Sequence, residues 1–331
     1  RNISAVVRQA DISKALNALH EAFFLSDRKV LNIFLVGTGL IGNSLINMVE
    51  EQFSKLAMEN LIEVNFVPVA NSKKMLFREE GLILKSCVTE MKQNGDAMNM
   101  ASFVERMVFL NLSNSIFVDC TSSEEVTDHY EAILAASISI VTPNKKANSA
   151  SLEKYELLKS TAFKRGVKFF YETNVGAGLP VINTMNDLLL SGDKVISIEA
   201  VLSGTLNYIF STFAEGKKFS EVVKEAKEKG YTEPDPRDDL SGKDVARKIL
   251  ILSREAGHTL ELNDIRVESL VPEDCSGDMT VDQFFSALKK HDENFEKLRA
   301  RSASKKEKLR YKAILSEGKV KVELGSVGEQ H

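Results

Sequence analysis

From residue 29 onward, short apolar runs alternate with longer stretches in which apolar residues recur every three or four positions. Residues 30–36 (VLNIFLV) predict a buried strand, and residues 40–53 an amphipathic helix. Residues 64–70 and 115–120 predict further strands, with the polar stretch 94–97 between them read as a loop. A helix over 124–136, a strand over 139–142, a helix over 152–165 and a strand over 168–172 continue the pattern. Apolar strands alternating with helices imply parallel pairing in a doubly wound α/β sheet. After Glu172 the pattern changes to α+β, with helices over 179–190, 206–215 and 219–229, a strand over 195–202 and a strand-like 319–324. Ahead of residue 29, residues 2–7 read as a strand. Asp11 opens a helix with Ile12, Ala15, Leu16, Leu19 and Phe23 on one face, and residues 26–28 read as a linker.

The first of these strands runs into Gly37-Thr38-Gly39-Leu40-Ile41-Gly42, a GxGxxG turn that opens a helix. In that context Gly37 permits the tight turn, Gly39 admits a pyrophosphate, Gly42 lets the helix pack on the strand, and the helix N-terminus supplies N–H donors. The competing reading is an ordinary glycine turn of a βα unit. The second strand ends in Ala70-Asn71-Ser72-Lys73-Lys74, where an NAD-binding site would carry an acid for the ribose. A hydroxyl and two ammonium groups there favour NADP, with tolerance of NAD. A solvated basic turn explains Lys74 almost as well. These features predict a Rossmann-type dinucleotide-binding domain followed by a second α+β domain.

Bulk properties narrow the class. Among 331 residues, 43 bases against 47 acids give a net charge of −4, which offers nucleic acid or an anionic membrane no attraction. No apolar run reaches the length of a membrane span. Cys87, Cys120 and Cys275 are scattered and odd in number, as in a reducing compartment. Cys120, at a strand end, reads as a buried small residue. The five histidines show no metal-ligand spacing. A cytoplasmic location is the expectation. A plastid is the alternative, because residue 1 is Arg and not Met.

The run Tyr231–Lys248, YTEPDPRDDLSGKDVARK, joins acids, bases and two prolines to the apolar stretch 249–252. Its first half, through Asp239, reads as a rigid extended loop because proline fixes φ. Ser241 is then placed to cap a helix, with Asp244 completing a capping box. Asp244 and Lys248 share a helix face four residues apart and can hold one polar substrate between them. A capped surface helix with an ion pair explains the same spacing.

The wording of this run, with Gly230 before it, closely resembles the substrate-site signature of homoserine dehydrogenases. The resemblance covers residues from about 30 to the end and adds four segments. Asp119-Cys120-Thr121-Ser122-Ser123 matches a segment whose Thr121 and Ser122 lie against the cofactor, although these residues could equally cap the next helix. Thr142-Pro143-Asn144-Lys145-Lys146 matches a segment that sets Lys145 at cofactor and substrate. In residues 172–180 (ETNVGAGLP) the family binds a monovalent cation, usually sodium, through Glu172, Val175, Ala177 and Leu179, although the same turn could be a hinge. Ser203-Gly204-Thr205 matches a turn near the substrate.

The resemblance implies NAD(P)H-dependent reduction of L-aspartate 4-semialdehyde to L-homoserine, in threonine, methionine and isoleucine biosynthesis. Lys248 would be general acid–base, assisted by Lys145 and Asp244. Glu233, Asp239, Asp244, Gly204 and Thr205 would hold the substrate. Gly37 to Gly42, Asn71, Ser72, Lys73, Thr121, Ser122, Lys145 and Gly230 would hold the cofactor. It also implies a homodimer or higher oligomer formed by the region after Glu172. Residues 1–28 resemble the tail of an ACT-like regulatory domain of an aspartokinase in the same polypeptide, with the cofactor domain at 29–171 and the substrate domain at 172–331. In the family a Gly-rich segment and a final helix follow the point matching His331, so weak cofactor affinity is the expectation here. An inactive cofactor-binding or dimerising module, and a dehydrogenase of another small amino acid, are the alternatives.

Overall fold

The computed structural model describes residues 4–12, 15–16, 19, 29–214 and 216–328. The chain divides into two compact units: residues 1–148 with 153–174, and residues 149–152 with 175–331.

The first unit is built on a seven-stranded sheet of order β4-β3-β2-β1-β5-β6-β7. Its strands are β1 (Lys29–Val36), β2 (Ile62–Ala70), β3 (Lys74–Phe77), β4 (Asp96–Ala97), β5 (Ser115–Asp119), β6 (Ser139–Val141) and β7 (Phe169–Phe170). The five strands from β2 to β7 through β1 are parallel, whereas β3 and β4 add antiparallel at one edge. β1 shows why its sequence is continuously apolar. Phe34 and Val36 face one core, with Phe103, Phe117 and Ile133, while Ile33 and Leu35 face another, with Ile46, Phe66 and Met91. A strand covered on both faces has no polar side.

Several elements differ from the sequence expectation. Residues 94–97 are not a loop: Asp96–Ala97 pairs with β3, and a Cβ on Gly95 would lie 2.4 Å from Met91 O and 2.9 Å from Met75 O. A short polar edge strand suits a sheet margin. The helix expected over 124–136 is two pieces, Glu124–Thr127 and Tyr130–Ala135. Thr127 Oγ1 donates to Glu124 O, a local bond that competes with helix continuation. The strand expected over 168–172 is confined to β7, and Glu172–Asn174 forms a 3₁₀ turn. Helices Leu84–Asn94 and Met100–Leu110 lie between β3 and β5. Residues 4–8 carry no strand. A 3₁₀ turn, Gln9–Asp11, leads into helical positions that include exposed Ile12, Leu16 and Leu19. Phe23 and the linker at 26–28 lie outside the described residues.

The second unit holds a four-stranded sheet of order β8-β10-β11-β9, from β8 (Ser197–Ala200), β9 (Arg266–Val267), β10 (Glu307–Ser316) and β11 (Lys319–Gly328). Leu309, Tyr311, Ala313 and Leu315 alternate inward along β10, and the Lys243–Glu255 helix contributes buried Val245, Ala246, Ile249, Leu250 and Leu252. The expected helices appear as Val181–Leu190, Gly204–Phe213 and Phe219–Glu228.

The 231–248 run departs from its expected conformation at two points. Pro236–Leu240 is a short helix, not extended loop, because Asp235 caps it and Pro236 occupies its first turn. Ser241 closes that helix instead of opening the next. Gly242, at φ 73°, precedes Lys243, since a Cβ there would lie 2.0 Å from Tyr311 Oη. Asp244 therefore completes no capping box and is left to pair with Lys248.

Candidate functional site

In the first unit the candidate cofactor residues gather at the carboxyl ends of β1, β2 and β5. Gly37 N donates to Ala70 O at 2.8 Å, latching the glycine turn onto β2. A Cβ on Gly37 would lie 2.7 Å from Cys120 C, and one on Gly42 would lie 1.9 Å from Gly37 O. Those two glycines are demanded by the fold. A Cβ on Gly39 would meet no protein atom within 4 Å, so the fold does not require glycine there. Its bare backbone instead allows a ligand to approach the amino end of the Leu40–Met58 helix, where Gly39 offers no side-chain cap.

Asn71 shapes the adjoining turn, its Oδ1 accepting from the backbone N–H of Lys73 and Lys74 at 2.8 Å each. Lys74 Nζ donates to Lys92 O at 2.8 Å and so caps the Leu84–Asn94 helix, whereas Lys73 is exposed. Of the two ammonium groups at this strand end, the second thus has a structural task. Asn71, Ser72, Thr121 and Ser122 line one cavity of about 530 Å³. Asn99, Glu125 and His129 line it too, and no motif in the sequence marks them.

The loops after β5 and β6 are joined by buried polar groups. Asp119 Oδ1 accepts from Thr121 N at 2.7 Å, and Oδ2 accepts from Tyr130 Oη at 2.7 Å and Asn144 Nδ2 at 2.9 Å. Asn144 precedes half-buried Lys145. Cys120 is partly buried, and burial, then the Asp119 charge, pushes its thiol up to about 11, which keeps it protonated.

In the second unit the candidate substrate residues also converge. Thr205, in the first turn of the Gly204–Phe213 helix capped by Ser203, donates from Oγ1 to Tyr231 O at 2.6 Å. Glu233 N donates to Asp239 Oδ2 at 2.8 Å. Burial, followed by the charges of Glu233 and Asp244, raises the Asp239 carboxyl above its ordinary range, against bonds from Glu233 N and Thr205 that lower it. Lys248 Nζ contacts Asp244 Oδ2 at 2.8 Å and donates to Leu202 O at 2.8 Å, with the lysine side chain 18% and the aspartate 44% exposed. The surrounding run is braced by Arg237, which donates to Asp235, Gly277 O and Met279 O. The result is a half-buried ammonium paired with Asp244, whose charge also reaches the Asp239 carboxyl.

Two sets of expected ligands are divided. Gly230, at φ 72°, terminates the Phe219–Glu228 helix: its N–H reaches Lys227 O and that of Tyr231 reaches Ala226 O. It belongs to the second unit, whereas the other cofactor candidates, Lys145 included, belong to the first. Of the expected cation ligands, Glu172 lies in the first unit and Val175, Ala177 and Leu179 in the second. Gly176 (φ 84°) and Ala177 (φ 52°) are both left-handed, and Leu179 O accepts from Val181 N. A different set, Asp274, Cys275 and His291, brings possible metal-ligating atoms within 4.8 Å, although the sequence shows no such spacing. There His291 Nε2 lies 2.7 Å from Asp274 Oδ1 and ties the Glu273–Cys275 3₁₀ turn to the Lys289–His291 turn.

Comparison with known proteins places both units. Residues 37–172 match the profile for "Homoserine dehydrogenase, NAD binding domain", and residues 180–331 match that for "Homoserine dehydrogenase". The chain is 44% identical over 330 residues to a bifunctional aspartokinase/homoserine dehydrogenase of Haemophilus influenzae, covering 99% of this chain and 40% of that protein. It is 36% identical to a homoserine dehydrogenase of Schizosaccharomyces pombe, covering 86% of this chain and 78% of that protein. A crystal structure of a Candida auris protein of unknown function superposes with a TM-score of 0.82 at 34% identity, covering 92% of this chain and 85% of that one. The chain thus spans well under half of the bifunctional relative.

Proposed function

Because the chain belongs to the homoserine dehydrogenase family, we propose that it catalyses the NAD(P)H-dependent reduction of L-aspartate 4-semialdehyde to L-homoserine, and the reverse oxidation, in threonine, methionine and isoleucine biosynthesis. The observation that carries this reading is the position of Lys248 Nζ, held by Asp244 Oδ2 and Leu202 O. An ammonium has three N–H donors, so these two contacts leave one for a reacting oxygen. When bound, the nicotinamide cofactor supplies or accepts the hydride. Lys248 gives a proton to the alkoxide in reduction and takes it back in oxidation, with Asp244 orienting its ammonium. Glu233 and Asp239 attract the substrate ammonium, and Gly204 and Thr205 shape the turn beside them. Lys145 polarises the substrate oxygen and positions the nicotinamide.

On the cofactor side, the GxGxxG backbone from Gly37 to Gly42 takes the pyrophosphate, and Thr121 and Ser122 bound the adjoining cavity. Asn71, Ser72 and Lys73 favour NADP over NAD, since the turn itself presents no acid. Gly230 supports the cofactor edge of the substrate run. Glu172, Val175, Ala177 and Leu179 would each offer oxygen to a monovalent cation, which suits a hard ion. β8, one of the two edge strands of its sheet, and the exposed Leu190 and Ile196 that precede it in the chain form a two-fold homodimer contact. Residues 1–28 continue an ACT-like regulatory region, joined to an aspartokinase in the same polypeptide, as the name of the Haemophilus relative describes that protein. The cofactor domain occupies 29–171 and the substrate domain 172–331.

The test is kcat/KM for L-homoserine with NADP and with NAD, against L-serine, L-threonine and other small hydroxy amino acids. Homoserine should be preferred. Preference for another amino acid would support the rival dehydrogenase, and cofactor binding without turnover would support the inactive module.

A further inference from the structure

Asp119 is fully buried, and the donors to its carboxyl oxygens among the described residues are all uncharged. A buried carboxylate without a cation is costly unless hydrogen bonds satisfy it. Those bonds do more than satisfy it. Oδ1 holds Thr121 N, in the loop after β5, and Oδ2 holds the Tyr130 hydroxyl and Asn144 Nδ2, the latter in the loop after β6. Tyr130 Oη is also 3.0 Å from Thr142 Oγ1, which donates to Asp119 O and accepts from Asn144 N at 2.8 Å. Asn144 Nδ2 reaches back to Ser123 O at 2.8 Å, and its Oδ1 accepts from Lys146 N at 3.1 Å. The backbone on both sides of Lys145 is therefore fixed to the same buried groups as the loop bearing Thr121 and Ser122.

We propose that Asp119 and Tyr130 are positioning residues for the cofactor: a buried carboxylate–phenol pair that sets the distance between the Thr121–Ser122 loop and the Lys145 loop. The inference rests on the cofactor reading of those loops given above. Only an acceptor fits at Asp119, because three donors converge on its two oxygens. The Tyr130 ring packs in the apolar core, with Phe117 and Phe169 at centroid distances of 6.2 and 5.8 Å, while its hydroxyl alone enters the network. Burial, then Asp119, raises the phenol well above its ordinary value, so it remains a donor across the working pH range.

Tyr130→Phe separates these tasks by keeping the ring and removing the hydroxyl. At a temperature well below melting, the dissociation constant for NADPH and kcat/KM for NADPH should each worsen by about 10- to 100-fold, the scale of loss from a slight misplacement. Thr142→Val should do the same, and Thr142→Ser, which restores the hydroxyl, should recover most of the loss. That pair decides the matter if Tyr130→Phe fails to fold. A lower melting temperature with unchanged NADPH binding and kinetics would overturn the proposal and leave the network a stabilising one. Failure of the unsubstituted chain to bind NADPH would instead strike the cofactor reading itself and take the proposal with it.

Discussion

Replacing Lys248 by Met removes the ammonium and keeps most of the apolar stem, so it isolates the proton-transfer role. Loss of a positioned acid–base group costs ~10²–10⁴ in rate, or about 3–5 kcal/mol of transition-state stabilisation. The folding cost is smaller. Asp244 is 44% exposed, and an exposed helical ion pair at this spacing contributes only ~0.3–0.5 kcal/mol. Loss of the charged donor to Leu202 O adds about 2 kcal/mol. The sum lies below the ~5–15 kcal/mol stability of ordinary domains, so the variant should remain folded at room temperature. Steady-state reduction of aspartate 4-semialdehyde would give kcat, fluorescence titration the NADPH affinity, and circular dichroism the folded fraction. The expected result is a folded protein with near-normal NADPH affinity and kcat lowered at least a hundredfold, the lower end of the ~10²–10⁴ range. A kcat close to that of the unsubstituted chain would remove Lys248 from the chemistry.

Ser72→Asp should shift the kcat/KM ratio toward NAD by repelling a 2′-phosphate; an unchanged ratio would show that this turn does not read the ribose. Gly39→Ala should leave the melting temperature intact and weaken NADPH binding, whereas Gly42→Ala, whose Cβ would lie 1.9 Å from Gly37 O, should destabilise the fold itself. Asp239, with its raised pKa, holds its proton in the folded chain where the unfolded chain has lost it. That stabilisation is present below the ordinary ~3.9 and disappears as pH rises through the folded value. A substrate ammonium favours the ionised form, so kcat/KM for homoserine should show an acid limb above ~3.9 that Asp239→Asn removes; an identical profile in the variant would contradict this. Residues 29–331 should sediment as a dimer, and a monomer at micromolar concentration would exclude the β8 contact as proposed.

The parallel core of the first unit was legible because β1, β2 and β5 are buried on both faces and so carry nearly unbroken apolar runs. The glycine turn was legible because its strand-and-helix context is local. Leu84, Cys87, Val88 and Met91 repeat at helical spacing, so the Leu84–Asn94 helix was open to the same criterion, although the named elements left it out. β10 is harder to read: Arg310, Lys312 and Ile314, all partly buried, stand between Leu309, Tyr311, Ala313 and Leu315, so no clean apolar–polar alternation marks it. Pro236 misled because proline both breaks a helix interior and starts a helix, and only the Asp235 cap selects the second role. The i,i+4 spacing gave the Asp244–Lys248 pair directly. Leu202 O, the second contact of Lys248, comes from 46 residues away, and no local pattern announces it. The Asp119 network is equally invisible in sequence, since tertiary structure alone assembles residues 119, 130, 142 and 144.

The most direct measurement of the central claim is isotopic. Aspartate 4-semialdehyde is incubated with the chain and NADPH deuterated at the transferable position of the nicotinamide, and the amino-acid product is analysed by mass spectrometry and NMR. The account predicts homoserine carrying one deuterium on the carbon that bears its hydroxyl, and no such product from Lys248→Met on the same time scale. Homoserine without the label, or label delivered to another amino acid and not to homoserine, would contradict it.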